Sequence, residues 1–207
     1  ISPAEAIPIL EESGLIIPVG KWIIQNAFSM CTECRKYYPE FRVSINLSYV
    51  QILKSPLMME LKQMIEHSGI SCSGIIVELT ESGYLEGTPA VRSVWNDMKQ
   101  LRIQIALDDF GTGYSNLMNI SNLEPDIVKL DRGFTLKALS RSYEYQLMQY
   151  VIEMVHKLNQ YVCVEGVETK EDLEKIKALG PDLIQGYYYS KPCSRDEFLK
   201  KFFGYSE

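Results

Sequence analysis

Two carboxylates stand side by side at Asp108 and Asp109, where an apolar run (103–107) stops and the turn Phe110-Gly111-Thr112-Gly113 begins. Adjacent carboxylates repel, so something must hold them, and a divalent cation is the usual answer. Apolar runs of this length read as strands, and strand ends above a rigid sheet are where α/β proteins keep their chemistry. Five more polar groups share that situation. Asn46, Glu78, Lys129, Glu165 and Gln185 each lie at or just past the end of a short apolar run, at 43–47, 75–79, 127–130, 161–164 and 183–186. Side chains on a strand alternate between faces. In each run one face is apolar, and the other carries its conspicuous polar group near the C-terminal end. In a closed barrel these positions converge on the mouth, where barrel enzymes work. Asp109 is off parity with Asp108. It joins the same site only if the backbone turns there, and Gly111 and Gly113 permit such a turn.

Helices must lie between these strands. Ser2-Pro3-Ala4-Glu5 is a capping box with proline at the first helical position, and Gly14 stops that helix. Ser55-Pro56, Thr88-Pro89 and Thr169 open three more, the last with Gly180 as its stop, and Ser194-Arg195-Asp196-Glu197 caps a final one toward Phe203. Apolar periodicity predicts a helix over 21–38. It predicts another over 143–158, with Tyr143, Leu147, Tyr150, Val151, Met154, Val155 and Leu158 at helical spacing. Strands alternating with helices pair in parallel, because a parallel pair needs a long crossover. No linker, repeat or low-complexity tract interrupts the pattern, so residues 1–207 read as one α/β domain.

Composition narrows the function classes. A formal net charge of -6 argues against a nucleic-acid polymer as partner, since such binding is driven by Lys and Arg displacing counterions. It leaves room for a small anion carried in by metal ions. The five cysteines are odd in number and scattered, which describes no disulfide framework. Cys31-Thr32-Glu33-Cys34 lies in the 21–38 helix with no second pair to complete a zinc site, so both cysteines read as small helix residues. A reducing cytoplasm follows as the expected compartment. No stretch has the roughly 18 apolar residues of a membrane span, and no signal-peptide pattern opens the chain, so no membrane contact is expected from this segment.

The ordered set of segments resembles the EAL domain family, bacterial phosphodiesterases that open cyclic di-GMP. The matching segments are Ser44-Ile45-Asn46-Leu47-Ser48, Glu78-Leu79-Thr80-Glu81-Ser82 and Asp108-Asp109-Phe110-Gly111-Thr112-Gly113-Tyr114-Ser115. Val128-Lys129-Leu130-Asp131, Val164-Glu165-Gly166-Val167-Glu168-Thr169 and Gln185-Gly186-Tyr187-Tyr188-Tyr189-Ser190-Lys191-Pro192 follow in the family's order. The resemblance implies a TIM-like (β/α)8 barrel of EAL type. Six strands are legible here, where such a barrel has eight and typically about 250 residues. The Glu-Ala-Leu segment that names the family is absent, and Glu5-Ala6-Ile7 lies in a capped helix. The domain is therefore expected to be N-terminally truncated, lacking one metal-binding glutamate and a nearby phosphate-binding arginine, and impaired on its own. Its open edges are expected to invite strand exchange with a second copy or disorder nearby.

The same resemblance implies two Mg²⁺ or Mn²⁺ ions, hard cations that take oxygen ligands. Asn46, Glu78 and Asp108 would hold the first, and Asp108 would bridge to the second beside Asp109. Glu165 would bind or support the water near that ion, with Glu168 outside it. Lys129 would touch the attacking water, Gln185 would orient the metal-water network, and Glu81 would anchor the loop 109–115. The product would be the linear dinucleotide pGpG. Other readings stand beside these. Lys129 could pair with Asp131. Glu168 could be a first-turn helix charge, Glu81 a solvated loop carboxylate, and Asn46 a partner of local backbone groups. Tyr187–Tyr189 read as strand and packing residues, one of them flanking a guanine, while His67 and His156 are assigned no chemistry. A homodimer and an upstream sensory or regulatory domain are implied by the family. Two rival functions remain at this point: a module that binds cyclic di-GMP without cutting it, and an unrelated Mg²⁺-dependent barrel lyase.

Overall fold

A computed structural model describes residues 1–80, 88–112 and 124–204. Contacts divide them into two units. One holds residues 1–79 with the described residues of 83–105 and 199–204; the other holds Thr80 and the described residues of 106–198.

The first unit opens with α1 (Pro3–Ser13). The Ser2 amide donates to the Glu5 carboxylate at 3.0 Å, and Gly14 at φ 75° ends the helix, as the sequence predicts. Next comes α2 (Ile16–Cys34), which starts five residues before the predicted 21–38 and stops earlier too. Pro18 falls in its first turn, where an amide needs no helical partner, so proline does not delay the start. After Cys34 the amides of Tyr37 and Tyr38 both turn back onto the Cys34 carbonyl, at 3.0 and 2.9 Å, and close the chain into a turn. Then follow β1 (Val43–Asn46), α3 (Tyr49–Lys54), α4 (Leu57–Ser68), β2 (Ile75–Thr80) and α5 (Pro89–Gln100). The sequence reading missed α3: six residues are too few to show a period, although the Ser48 hydroxyl caps it by accepting from the Val50 amide at 3.1 Å. Strands β1 and β2 pair in parallel from Val43 opposite Ile75 to Asn46 opposite Glu78. Their core side includes Ile45, Ile75, Val77 and Leu79, with Phe28 of α2 and Met98 of α5 fully buried.

In the second unit, β3 (Gln104–Phe110) from Ala106 onward, β4 (Ile127–Leu130), β5 (Tyr161–Val164) and β6 (Leu183–Ile184) pair in parallel in chain order. The connecting helices are α6 (Arg132–Ser140), α7 (Ser142–Lys157) and α8 (Lys170–Lys177), and α9 (Arg195–Phe203), whose residues from Leu199 on belong to the first unit, follows β6. Helix α6 was not foreseen. It starts on Asp131, whose carboxylate accepts from the Gly133 amide at 2.7 Å. Helix α7 lies where predicted, but its apolar residues serve two faces. Met148, Ile152 and Val155 are buried, while Tyr143, Leu147, Tyr150 and Leu158 are exposed. Thr169 caps α8 through the Asp172 amide at 3.1 Å, and Ser194 with Glu197 caps α9. Leu107, Val128, Leu130, Val162 and Val164 are sealed between these helices and their neighbours on the sheet. That sealing fixes where the residues one step further along each strand emerge.

Candidate active site

Burying a charge costs several kcal/mol unless it is paired, so charged side chains in a core mark either structure or chemistry. Among the described residues the buried charged side chains are Glu78, Asp108 and Lys129. All three are strand-end groups singled out from sequence.

In the second unit Lys129 is 4% exposed, and its Nζ lies 3.0 Å from Asp108 Oδ1 and 2.7 Å from Glu165 Oε1. The ammonium thus joins the ends of β3 and β5 across β4, and its positive charge lowers the cost of burying the two carboxylates, as they do for it. Lys129 and Asp131 do not form the ion pair that their spacing allowed, because the Asp131 carboxylate faces the α6 amides instead. The register explains how Asp109 comes beside Asp108. Leu107 stands opposite Val128 and Phe110 opposite Leu130, so the two aspartates share the place opposite Lys129. This is a bulge, with Asp109 at φ 60° as its extra residue. The expected turn exists, but it is made at Asp109 itself, a residue type that tolerates the left-handed region. The Asp109 amide donates to Asp108 Oδ1 at 3.0 Å, which helps fix the bend. Gly111 follows at φ 104°, with Phe134 filling the space a side chain would need.

Glu165 leaves β5 with its amide on the Leu130 carbonyl at 3.1 Å. Gln185 continues past β6: its amide donates to the Val164 carbonyl at 2.9 Å, its carbonyl accepts from Val167 at 3.3 Å, and the residue is exposed. Glu168 is also exposed. One of its oxygens, Oε1, accepts from Arg132 Nε at 3.2 Å and Nη2 at 2.8 Å. The hydrogen bonds and charge of Glu168 push the Arg132 pKa upward, so the guanidinium stays protonated. Arg132 was not foreseen as part of this region. Its signal was weak: a single cation placed after the α6 cap, with no spacing that ties it to residue 168.

In the first unit the buried Glu78 accepts a short hydrogen bond from the Ser44 hydroxyl at Oε1. Ser44 is two residues before Asn46, so both lie on one face of β1, a parity that could have flagged it. Asn46 stands opposite Glu78 and is exposed. Glu81, Gly113, Tyr114 and Ser115 lie outside the described residues.

No three His, Cys, Asp or Glu side chains gather closely enough to hold a metal ion among the described residues. The donor chemistry nevertheless suits a hard divalent cation. Asp108, Asp109, Glu165, Glu78 and Asn46 offer oxygen alone. The CxxC of α2 behaves as expected of helix residues. Cys31 and Cys34 are fully buried, and burial pushes the Cys31 thiol up, away from reactive thiolate. No helix among the described residues is long and apolar enough to cross a membrane.

Known proteins are similar to this chain in sequence and fold. The chain is 33% identical over 192 residues to the cyclic di-GMP phosphodiesterase PdeR of Escherichia coli, covering 93% of this chain and 29% of PdeR. It is 31% identical over 192 residues to the cyclic di-GMP phosphodiesterase PdeF of the same organism, covering 93% of this chain and 26% of PdeF. It therefore spans about a quarter of the length of these relatives. The structure of the EAL enzyme Bd1971 with cAMP and cyclic di-GMP bound superposes with a TM-score of 0.91 at 30% identity, over 97% of this chain and 56% of that one. The fold is accordingly the TIM-like barrel of EAL type, with six of its eight strands among the described residues. Buried strand-end charges, the aspartate bulge and these likenesses converge with a match to the EAL domain model over residues 1–192, and the chain belongs to the EAL domain family.

Proposed function

We propose that this domain hydrolyses cyclic di-GMP to the linear dinucleotide pGpG with the help of Mg²⁺ or Mn²⁺. The observation that carries the reading is the buried Lys129 ammonium held between Asp108 and Glu165, at strand ends where the family's phosphodiesterases are matched. In the second unit Asp108, Asp109 and Glu165 are the oxygen donors that would hold an ion; in the first unit the donors of the same kind are Asn46 and Glu78. Bound there, the ions would supply charge to the phosphate oxygens and lower the pKa of the attacking water.

The chain's own groups do the rest. Lys129 Nζ donates a hydrogen bond to the water oxygen and offsets the negative charge that the carboxylates and the phosphodiester bring together. Glu165, fixed by its amide to the Leu130 carbonyl, accepts from the same water and holds it in line with phosphorus. The water gives up a proton to solvent as its oxygen bonds phosphorus, one phosphorus–oxygen ester bond breaks, and the leaving oxygen takes up a proton from solvent to become a hydroxyl. Gln185 offers an amide that donates and accepts at the edge of this cluster. Glu168, in the same loop as Glu165, acts from outside the cluster that would meet the ions. A homodimer and a sensory domain elsewhere in the protein belong to the same reading.

The test uses two proteins: the 207-residue chain, and a chimera in which the two N-terminal strands of an EAL relative precede Ile1. Each is incubated with cyclic di-GMP and either ion, and the nucleotides are separated by chromatography. The chimera is expected to yield pGpG and the chain alone to be slower. Unchanged substrate from the chimera with both ions rejects the reading.

A further inference from the structure

The first turn of α6 touches both loops that carry the second unit's carboxylates, and the proposed reaction uses none of it. On one side the Asp131 amide donates to the Phe110 carbonyl at 3.1 Å, and Phe134 packs where a Gly111 side chain would be. On the other side Arg132 lies across Gly166, the residue after Glu165. Gly166 has φ 78°, and a Cβ there would sit 2.4 Å from Arg132 Cγ and 3.1 Å from Arg132 Cα. Beyond the glycine, the guanidinium reaches Glu168 Oε1. The far side of the loop is equally tight: a Cβ on Gly186 would come 2.1 Å from the Val167 carbonyl oxygen. Residues 165–168 are thus held between the Arg132 side chain and the Gly186 backbone.

We propose that Arg132 is a positioning residue for Glu165. Its aliphatic stem covers Gly166 and its guanidinium ties down Glu168, so one side chain grips the loop at two points and sets where the Glu165 carboxylate meets Lys129. The effect on turnover rests on the phosphodiesterase reading; the grip itself does not. An ordinary exposed ion pair would be worth little and would leave its loop unchanged when removed.

The experiment compares R132A, R132K and E168Q with a control, R141A, which removes an exposed pair with Glu144 at the other end of α6. Two readouts are taken on the chimera: amide hydrogen exchange over 165–169, and kcat and KM for cyclic di-GMP with Mn²⁺. R132A is expected to speed exchange at Val167 and to lower kcat by roughly 10- to 100-fold, the range for partners that orient active-site ligands, with a smaller change in KM. R132K keeps a stem over Gly166 and is expected to recover part of both losses. E168Q keeps the stem and loses the charged contact, and it should fall between. R141A should match the parent. Wild-type exchange in R132A overturns the proposal, as does an equal effect from R141A. A parent that shows no hydrolysis sinks the phosphodiesterase reading instead, and exchange alone then decides the grip.

Discussion

Lys129 and Arg132 are separated by two residues and pair with carboxylates that are likewise close in sequence, Glu165 and Glu168. Their surroundings differ sharply. The Lys129 side chain is 5% exposed and holds two carboxylates, whereas the Arg132 side chain is 57% exposed and holds one. In a dry environment a lost cation leaves charges that water cannot reach, while at the surface water replaces the partner. The buried pair therefore couples stability to chemistry, and the exposed pair can be adjusted without unfolding anything.

The largest effect should come from Lys129→Met. The variant leaves Asp108 and Glu165 facing each other without their cation. Stability should fall by about 3 kcal/mol in urea denaturation, and hydrolysis by about 10²-fold or more. Unchanged stability would mean that the pair is wetter than its burial indicates. Gly186→Ala comes next. Its new methyl group would meet the Val167 backbone rather than a flexible side-chain end, so roughly 2 kcal/mol of overpacking cost is expected, with impaired turnover as the loop shifts. Arg132→Ala should leave the melting temperature within error of the parent, which separates its positioning effect from any role in holding the fold together.

The smallest effect lies at the helix caps. Hydrogen bonds from the backbone and then the side chain of Ser2 hold the Glu5 carboxyl below its usual value, and those of Ser194 do the same for Glu197. A carboxyl with a depressed folded pKa contributes stability above its unfolded value, near 4.3, and loses it as pH falls through the folded value. Circular dichroism in acid should show Glu5→Gln and Glu197→Gln flattening that low-pH decline slightly. A steeper decline in either variant would reverse the sign of the argument.

The contrast between buried and exposed charge also explains what the sequence could show. Alternation along each strand marked Glu78, Asp108 and Lys129, because a lone charge in an apolar run has few reasons to be there. The α1, α5 and α8 starts were legible for a related reason: Ser2, Thr88 and Thr169 satisfy amides next to them in sequence. Two helices escaped. Helix α3 is too short for a period, and α6 is announced only by Asp131, a residue first weighed as a partner for Lys129. The Arg132–Glu168 pair was equally hidden, since it spans 36 positions and depends on a parallel crossover bringing two loops together. The aspartate bulge was half visible. Off-parity Asp109 demanded a bend, but glycine propensity pointed to Gly111 and Gly113, whereas the bend is made at Asp109 against the β4 register.

Manganese can be located by its own anomalous scattering in a crystal of the chimera, independently of any activity. The expected result is a peak within coordination distance of the Asp108 and Asp109 carboxylates, with Glu165 turned toward it. A crystal soaked to saturation that shows its manganese elsewhere, or none at all, contradicts the assignment of this cluster as the catalytic centre.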